Sequence, residues 1–440
     1  MRTASRVCPF SDEAPNEDDL GVPHPSANLS RDPVLGPYTA IFAGRVNDPE
    51  ALASSSSGGL TSWTLDRLLS EGLIDAVANV GRSTAGTGGL FSYSITDKAS
   101  DGSRRKSAYY ATTMEAVLRE AEGTGKRIAI VGLPCYIRAA RALCNERPAM
   151  ADSIVCFVSL VCGHGKTQAF AESLAWQVGV SPGELEEVDF RAKLPGRSAS
   201  DYGFAARCAG SQGWSSRPMQ DLVGANWGHG AFQPECCNFC DDVVGDTADI
   251  SFGDAWLPEY ADQGGTSLVI SRDPRLDLLL NAGALAGEIA VAPLSAAKAL
   301  ESQAGGFRFR REGLALRLAD DLAGGMSVPR KRVAPDSQAV SPRRAALLRQ
   351  RRRMSRMSHE AFAVARETSD LDYYLRAMRR EMRRYSRLEM PLTGRVVRGL
   401  RSLASGFRRQ ARALLGGARN EATLASPEKD SKVEGYETRS

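Results

Sequence analysis

Three short cysteine-containing segments have the residue types and the spacing to bind a metal centre or to exchange electrons. Cys237 and Cys240 form a C-x-x-C pair, in which two sulfurs can reach one metal centre. Cys135 closes the sequence GLPC, and Cys162 opens the sequence CGHG. The chain has nine cysteines and only four histidines, so thiolates are the expected metal ligands.

Cys135 and Cys162 each follow a predicted buried strand. Short apolar, β-branched runs at 127–133 and 154–161 predict these strands. Ligands of open α/β sheets bind at the carboxyl ends of strands, so both thiols are expected at one sheet edge. Cys135 also opens a predicted helix, whose positive N-terminal end is expected to lower the pKa of the thiol. A small buried residue is the alternative interpretation of both cysteines, and His164 is expected to be solvated.

The C-x-x-C segment leaves several kinds of site open. It can be half of a zinc site, half of an iron–sulfur site, a redox dithiol, or a chance occurrence in a loop. The neighbouring Cys236 is not expected to face the same centre as Cys237. Cys144, Cys156 and Cys208 fall within predicted helices or strands, and they are expected in the core.

A turn of small residues lies ahead of the helix predicted from Leu60. Its residues are Ser56, Ser57, Gly58 and Gly59. A helix N-terminus favours phosphate, and small residues admit a ligand to the backbone, so the turn is a candidate seat for a dinucleotide pyrophosphate. A turn that only caps the helix is the commoner meaning of such a sequence.

The elements that must position these residues follow from the hydrophobic pattern. Strands and helices alternate at short spacing over 36–180, which predicts an α/β fold, a mainly parallel sheet with flanking helices. Residues 181–325 carry short strands between Gly/Pro loops, which predicts an α+β portion around the C-x-x-C. Residues 1–35 are expected to be an extended N-terminal segment, 326–419 a basic helical tail and 420–440 disordered.

The composition is that of an ordinary globular protein. The chain is 42% hydrophobic and 25% charged, which excludes wholesale disorder. No uncharged apolar stretch reaches the ~18 residues that cross a bilayer, and residues 1–25 show no secretory signal. A cytoplasmic location is therefore expected. In that reducing compartment, thiols hold metal or do redox work more often than they form disulfides.

Residues 330–419 are strongly basic. They contain 24 Lys/Arg and 7 Asp/Glu, which leaves the remainder of the chain at −13 against a total of +4. Seven arginines lie within 343–356, and a solvated helical face is the simple interpretation. Apolar residues recur at helical spacing among the arginines of 390–415, which predicts a basic amphipathic helix. Such a helix suits an anionic membrane surface or an acidic partner. Nucleic acid ranks last, because no base-reading or stacking motif accompanies the arginines.

The motifs together resemble one known family. GLPC at 132–135, Cys-Gly at 162–163, CNFCDDVVGDTADISFGDAW at 237–256 and GGTSLVISR at 264–272 occur in that family's order. With SSSGGLTSW at 55–63 and YY at 109–110, they resemble the family of coenzyme F420 hydrogenase/dehydrogenase beta subunits over residues 8–310. Members are flavin and iron–sulfur oxidoreductases, which pass electrons between ferredoxin or coenzyme F420 and a substrate or partner subunit. Some relatives reduce chlorophyll derivatives, and others occur in polysaccharide biosynthesis.

The resemblance implies a ligand set for an iron–sulfur cluster. Cys135, Cys162, Cys237 and Cys240 would hold one [4Fe–4S] cluster, in keeping with the preference of cubane clusters for four thiolates. No catalytic residue is assigned.

The resemblance also implies a place for FAD against the α/β half, near the turn at 56–59. Arg191 and Lys193, in the sequence FRAK, look like a basic strand motif that faces the cofactor, the carrier or the substrate. An ordinary solvated strand face is the alternative. A flavin converts a two-electron hydride step into the one-electron steps that a cluster accepts. The expected partner is an electron-carrier protein or coenzyme F420 itself.

One departure from the family and two further functions complete the expectations. Many relatives begin with C-x-x-C-x-x-C-x-x-x-C-P, whereas only Cys8-Pro9 remains here, so either the start is truncated or this member lacks that module. A non-catalytic zinc-binding scaffold on the same four cysteines is the first alternative function. A membrane-surface adaptor acting through the basic tail is the second, and it would place the protein at the membrane periphery.

Overall fold

The computed structural model describes residues 2–21, 28–83, 89–98, 106–194, 202–261 and 264–390. These residues contain the following strands: β1 (Ser30–Asp32), β2 (Gly36–Tyr38), β3 (Ala40–Val46), β4 (Ala76–Arg82), β5 (Phe91–Thr96), β6 (Ile128–Gly132), β7 (Ile154–Leu160), β8 (Leu185–Ala192), β9 (Gly203–Cys208), β10 (Trp214–Pro218), β11 (Ile250–Asp254), β12 (Ser267–Ser271) and β13 (Ile289–Pro293).

The same residues contain these α-helices: α1 (Arg2–Val7), α2 (Glu17–Leu20), α3 (Pro49–Ser54), α4 (Leu60–Ser70), α5 (Glu115–Ala121), α6 (Pro134–Glu146), α7 (Pro148–Ser153), α8 (Gln168–Gln177), α9 (Pro274–Leu285), α10 (Ala296–Ser302), α11 (Ala304–Arg310), α12 (Glu312–Ala323), α13 (Pro342–Thr368) and α14 (Leu371–Glu389). Short 3-10 helices lie at Met219–Asp221, Trp227–His229, Glu235–Phe239 and Pro258–Tyr260. Among the described helices, none is long and apolar enough to cross a membrane.

An eight-stranded mixed sheet is the largest feature of the described residues. Its strand order is β13-β3-β12-β11-β7-β6-β4-β5. Three neighbouring pairs are parallel (β4·β6, β6·β7 and β7·β11), and four are antiparallel. The α/β expectation is therefore confirmed, but the mainly parallel sheet is not. The parallel strands lie at the centre, because β12, β13 and β5 join the sheet antiparallel to their neighbours.

Apolar residues on both faces of this sheet explain why it forms where it does. All five residues of β6 are buried, and alternate ones pack on opposite sides. Val131 packs with α4 and α9 on one face, while Ile130 packs with α5, α6 and α7 on the other. Strands β11, β12 and β13, from the 181–325 portion, complete the sheet that β3 to β7 begin. The two portions thus share one sheet.

A second, antiparallel sheet has the order β10-β9-β8. Strand β8 ends with Arg191 and Ala192, so this small sheet carries the basic motif identified in the sequence. Phe190 on β8 and Phe204 on β9 are both fully buried. Phe190 stacks on Phe170 of α8, with ring centroids 5.9 Å apart, and this contact packs the small sheet against α8.

The basic C-terminal segment is helical from Pro342, where α13 begins, and its described residues before that point are not helical. Helix α13 is not a solvated rod, because Leu348, Met354 and Phe362 on its inner face are buried. The expectation of a solvated face for 343–356 is therefore wrong for part of that face. The chain divides into two units, Met1–Tyr385 and Ser386–Ser440, and α13 belongs to the first. The structure describes no residue beyond 390. The amphipathic helix expected at 390–415 and the disorder expected at 420–440 therefore lie outside the described residues.

Candidate functional site

The carboxyl ends of the central parallel strands bring two of the predicted thiols to one edge. Cys135 is the second residue of α6, which begins directly after β6. Cys162 lies two residues beyond the end of β7. Its backbone N–H donates to the carbonyl oxygen of Val243 at 2.9 Å, and so the loop after β7 is tied to the segment that leads into β11.

The C-x-x-C segment packs against the loop that follows Cys162. Its 3-10 helix, Glu235–Phe239, carries Cys237, and Cys240 comes directly after it. The backbone N–H of Gly165 donates to Cys237 Sγ at 3.3 Å. Cys240 is buried and its thiol donates to the carbonyl oxygen of Asp242. A third segment, from the connection between β10 and β11, therefore joins the first two.

The four thiols are close enough to perturb one another. Burial, and then the nearby Cys240, Cys162 and Cys237 thiols, raise the pKa of Cys135 well above its ordinary value. Burial raises the pKa of Cys162 to about 12, and that of Cys240 to about 11. The structure thus gathers Cys135, Cys162, Cys237 and Cys240 into one cluster, here called the thiol quartet.

Two sequence-based expectations about these cysteines need comment. The expectation that the helix N-terminus lowers the pKa of Cys135 is wrong, because burial outweighs the helix dipole. Cys236 is exposed. Its thiol donates a hydrogen bond to Cys237, which lowers the pKa of Cys237 to about 6. Cys236 therefore lies beside the quartet as a donor to one member.

The donor set of the quartet, four thiols, is the one that cubane clusters prefer. Within the part of the chain that the structure describes, no three His, Cys, Asp or Glu side chains are arranged to bind one metal ion. In a cubane cluster each thiolate binds a different iron, so its four sulfurs lie farther apart than the ligands of a single ion. Of the four cysteines, Cys162 and Cys240 are buried, and Cys135 and Cys237 are half-buried.

Arginines that sequence reasoning missed surround the quartet. Arg310 is 1% exposed, and its Nη2 donates to the carbonyl oxygens of Cys162 and Gly163 and to Cys162 Sγ at 3.6 Å. Arg317 is also buried, and its Nε donates to the carbonyl oxygen of Asn238 at 2.8 Å. Both lie in 307–318, where arginines alternate with apolar residues and Arg310 and Arg317 fall at buried positions.

The turn at 56–59 lies against the basic strand motif. Arg191 Nη1 donates to the carbonyl oxygen of Ser56 at 2.7 Å, and Lys193 Nζ donates to that of Ala53. Ser57 Oγ donates to the carbonyl oxygen of Thr266 at 3.1 Å. Arg191 also lies 3.4 Å from Asp254 at the end of β11. The six candidate cofactor-binding residues thus lie at the same sheet edge as the thiol quartet.

Gly58 and Gly59 have structural reasons for lacking a side chain. A Cβ on Gly58 would lie 2.5 Å from the carbonyl oxygen of Gly44 and 2.6 Å from the backbone nitrogen of Ser267. Gly59 has φ +79°, in the left-handed region. A cavity of about 520 Å³ opens beside Gly59, and carboxylates of Asp48, Asp66 and Glu288 are among its lining groups. Those carboxylates repel phosphate, so the Arg191 side of the turn is the more suitable side for a pyrophosphate.

Aromatic rings and a buried lysine fill the space between the quartet and the turn. Lys166 Nζ lies 4.5 Å from the centroids of Phe170 and Trp227. Trp227 packs edge-on against Tyr109 with centroids 5.0 Å apart, and the Tyr109 hydroxyl accepts from Arg191 at 3.3 Å. This wall of contacts runs from the thiol quartet to the turn at 56–59.

His164 belongs to the same wall. Its ring lies 4.4 Å from Trp227, and Arg351 Nη2 donates to Nδ1 at 3.2 Å. The residue is only 5% exposed, so the expectation of a solvated histidine is wrong. Burial, and then Lys166 and Arg351, lower the pKa of His164 well below its ordinary value, so its ring is neutral at physiological pH.

Two family descriptions match the chain in sequence, and both belong to the beta subunits of coenzyme F420 hydrogenase/dehydrogenase. The description of their N-terminal part matches residues 41–119, and the description of their C-terminal part matches residues 125–297. Together the two matches span more than half of the chain.

Individual relatives agree with these matches. A component of the F(420)H(2) dehydrogenase of Methanosarcina mazei is 29% identical over 161 residues, which are 36% of this chain and 39% of that protein. The present chain is also similar in fold to one chain of the F420-reducing [NiFe] hydrogenase complex from Methanosarcina barkeri. That likeness has a TM-score of 0.50 and 17% identity, and it covers 68% of this chain and 98% of the other.

Proposed function

Because this chain belongs to the family of coenzyme F420 hydrogenase/dehydrogenase beta subunits, which are oxidoreductases, we propose that it is a flavin- and iron–sulfur-dependent electron-transfer protein. In this proposal it passes electrons between a reduced carrier, coenzyme F420 or ferredoxin, and a substrate or a partner subunit. The names of the two relatives support coenzyme F420 as the carrier and a complex of several proteins as the setting.

The convergence of the thiol quartet is the observation that carries the proposal. Cys135, Cys162, Cys237 and Cys240 would ligate one [4Fe–4S] cluster as thiolates. Ligation removes the thiol protons and offsets the burial that now raises the pKa values of Cys135, Cys162 and Cys240. A buried site of this kind keeps solvent away from a redox centre.

FAD would lie at the turn formed by Ser56, Ser57, Gly58 and Gly59, on the side of Arg191 and Lys193. A bound flavin supplies exchange between hydride transfer and single-electron steps. Arg191 holds the turn through Ser56 and offers a buried cation that suits a pyrophosphate. Trp227 and Tyr109 offer flat apolar surface between the turn and the quartet.

The composition of anaerobically purified protein tests this function. We expect iron and acid-labile sulfide near four of each per chain, together with released FAD and broad visible absorbance. Cys237→Ser is expected to lose the iron, whereas Cys236→Ser, at the exposed neighbouring position, is expected to keep it. A colourless wild-type protein without iron would refute the proposal. Loss of iron from Cys236→Ser alone would show that the ligand assignment is shifted by one residue.

The alternative functions give other results in the same measurements. One zinc per chain without sulfide would identify the zinc-binding scaffold. The membrane-surface adaptor depends on the segment at 390–415, outside the described residues, and vesicle binding that survives deletion of 391–419 would exclude it. A role in polysaccharide biosynthesis stays a prediction, since no described feature bears on that substrate.

A further inference from the structure

Three arginines around the thiol quartet come from a segment beyond the family match, which ends at residue 297. We propose that Arg310, Arg317 and Arg351 are positioning residues that hold the anionic, thiolate-bound cluster and raise its reduction potential. They lie on α11, α12 and α13. The inference rests on the proposed function, because it requires a cluster in the quartet.

Arg310 makes the direct contact with the quartet. Its Nη2 donates to the carbonyl oxygens of Cys162 and Gly163, and it lies 3.6 Å from Cys162 Sγ. Its Nε and Nη1 are buried and have no hydrogen-bond partner among the described residues. Buried N–H donors are normally hydrogen-bonded, so the guanidinium group of Arg310 can still donate to two further acceptors. The sulfur atoms of a cluster beside it are acceptors of the appropriate charge.

Arg317 and Arg351 form a second layer around Phe309. The guanidinium of Arg317 lies 4.2 Å from the ring centroid, and that of Arg351 lies 3.9 Å from it. Arg317 donates to the carbonyl oxygens of Asn238 and Phe309, and Arg351 donates to His164. Among the described residues, neither these two arginines nor Arg310 has a carboxylate within ion-pair distance.

Neighbouring arginines show that carboxylates were available to this segment. Arg352, the next residue on α13, pairs with Asp321 at 2.5 Å and with Glu235 at 2.7 Å. The acidic side chain that follows Cys240 in the chain, Asp241, is already paired with Lys331 at 2.9 Å. Asp242, the residue after Asp241, is also buried close to Cys162 and Cys240, so the three arginines outnumber the two carboxylates beside the quartet.

This charge distribution has an electrostatic consequence. Buried cations without anions are costly, and four neutral thiols do not compensate them. Four thiolates around a cluster give a buried anion, whose negative charge grows by one on reduction. Each nearby cation favours the more negative, reduced form, and the effect falls with distance. Arg310 should therefore contribute most, and Arg351, which reaches the site through His164, should contribute less.

Redox titration of the full-length, anaerobically prepared protein tests this inference. The readouts are iron and sulfide content and the cluster midpoint potential, followed by electron paramagnetic resonance. In Arg310→Gln we expect the equilibrium constant for one-electron reduction to fall about tenfold, which is about 59 mV. Arg310→Lys should restore most of the potential. Arg351→Gln, at a partly exposed position, should show a fall of about threefold.

Arg349→Gln is the matched control on α13, because Arg349 is exposed and pairs with Asp320 on the surface. Its potential should equal that of the wild type. A folded but iron-free Arg310→Gln beside an iron-loaded Arg310→Lys would also support the inference. If Arg310→Gln does not fold, the midpoint potential of Arg351→Gln tests the inference. Unchanged midpoint potentials in iron-loaded Arg310→Gln and Arg351→Gln would overturn the inference about the arginines. A wild-type protein without iron and sulfide would instead refute the proposed function.

Discussion

Gly58 separates two explanations for the small residues of the turn at 56–59. One explanation is that a ligand approaches the backbone there, and the other is that the sheet leaves no room for a side chain. In Gly58→Ala the new Cβ would lie 2.5 Å from Gly44 O, 2.6 Å from Ser267 N and 2.9 Å from Ser267 Oγ. Two of these atoms are backbone atoms of β3 and β12, which are hydrogen-bonded neighbours. Neither can rotate away as a flexible side chain can.

The magnitude follows from the cost of overpacking. Inserting a methyl group into a well-packed site costs about 1–3 kcal/mol, and more where the neighbours cannot move. We therefore expect Gly58→Ala to lower the free energy of unfolding by about 3 kcal/mol. For a folded unit of this size, that loss corresponds to a fall in Tm of about 4 °C. Thermal unfolding followed by circular dichroism measures it.

Gly305→Ala provides the control. Gly305 lies in α11, and a Cβ there meets no atom within 4 Å. Alanine is the better helix former, so this variant should gain about 0.5–1 kcal/mol. A Gly58→Ala protein with the wild-type Tm would refute the packing explanation. If such a protein also lacked FAD, ligand approach would be the correct reason for this glycine.

The remaining predictions concern pH dependence and the C-terminal helices. Burial lowers the pKa of His229 to about 4, so stability should fall by up to about 3 kcal/mol as the pH drops from about 6.5 to 4. His229→Gln should remove that part of the pH dependence in denaturant titrations, and an unaltered pH profile would contradict this. Phe362→Ala should cost about 3–5 kcal/mol, because the ring is buried against Tyr374 and Phe232. Tyr373, the residue before Tyr374, is 43% exposed, so Tyr373→Ala should lower the free energy of unfolding much less. Equal losses of stability in the two variants would show that α13 does not pack on the body of the protein as described.

Local sequence patterns were sufficient for most elements of the α/β portion. The helix predicted from Leu60 begins at that residue as α4, and the strand predicted at 154–161 is β7, Ile154–Leu160. The strand predicted at 127–133 is shorter by one residue at its start and one at its end, since β6 is Ile128–Gly132. These segments were predictable because their apolar residues repeat with the period of the element, and that period depends only on neighbours in the chain.

The sequence by itself also determined which cysteines to examine, since strand-end position and the C-x-x-C spacing are local properties. Only the tertiary structure decided that β12 and β13 join the sheet antiparallel to their neighbours, because hydrogen bonding between distant strands leaves no mark on local periodicity. The same holds for Arg310 and Arg317. In the sequence they are two arginines among apolar residues, and chain folding places Arg310 against Cys162, about 150 residues away, and Arg317 against the backbone of Asn238. A charge acts through space, so its neighbours depend on the fold and not on its position in the chain.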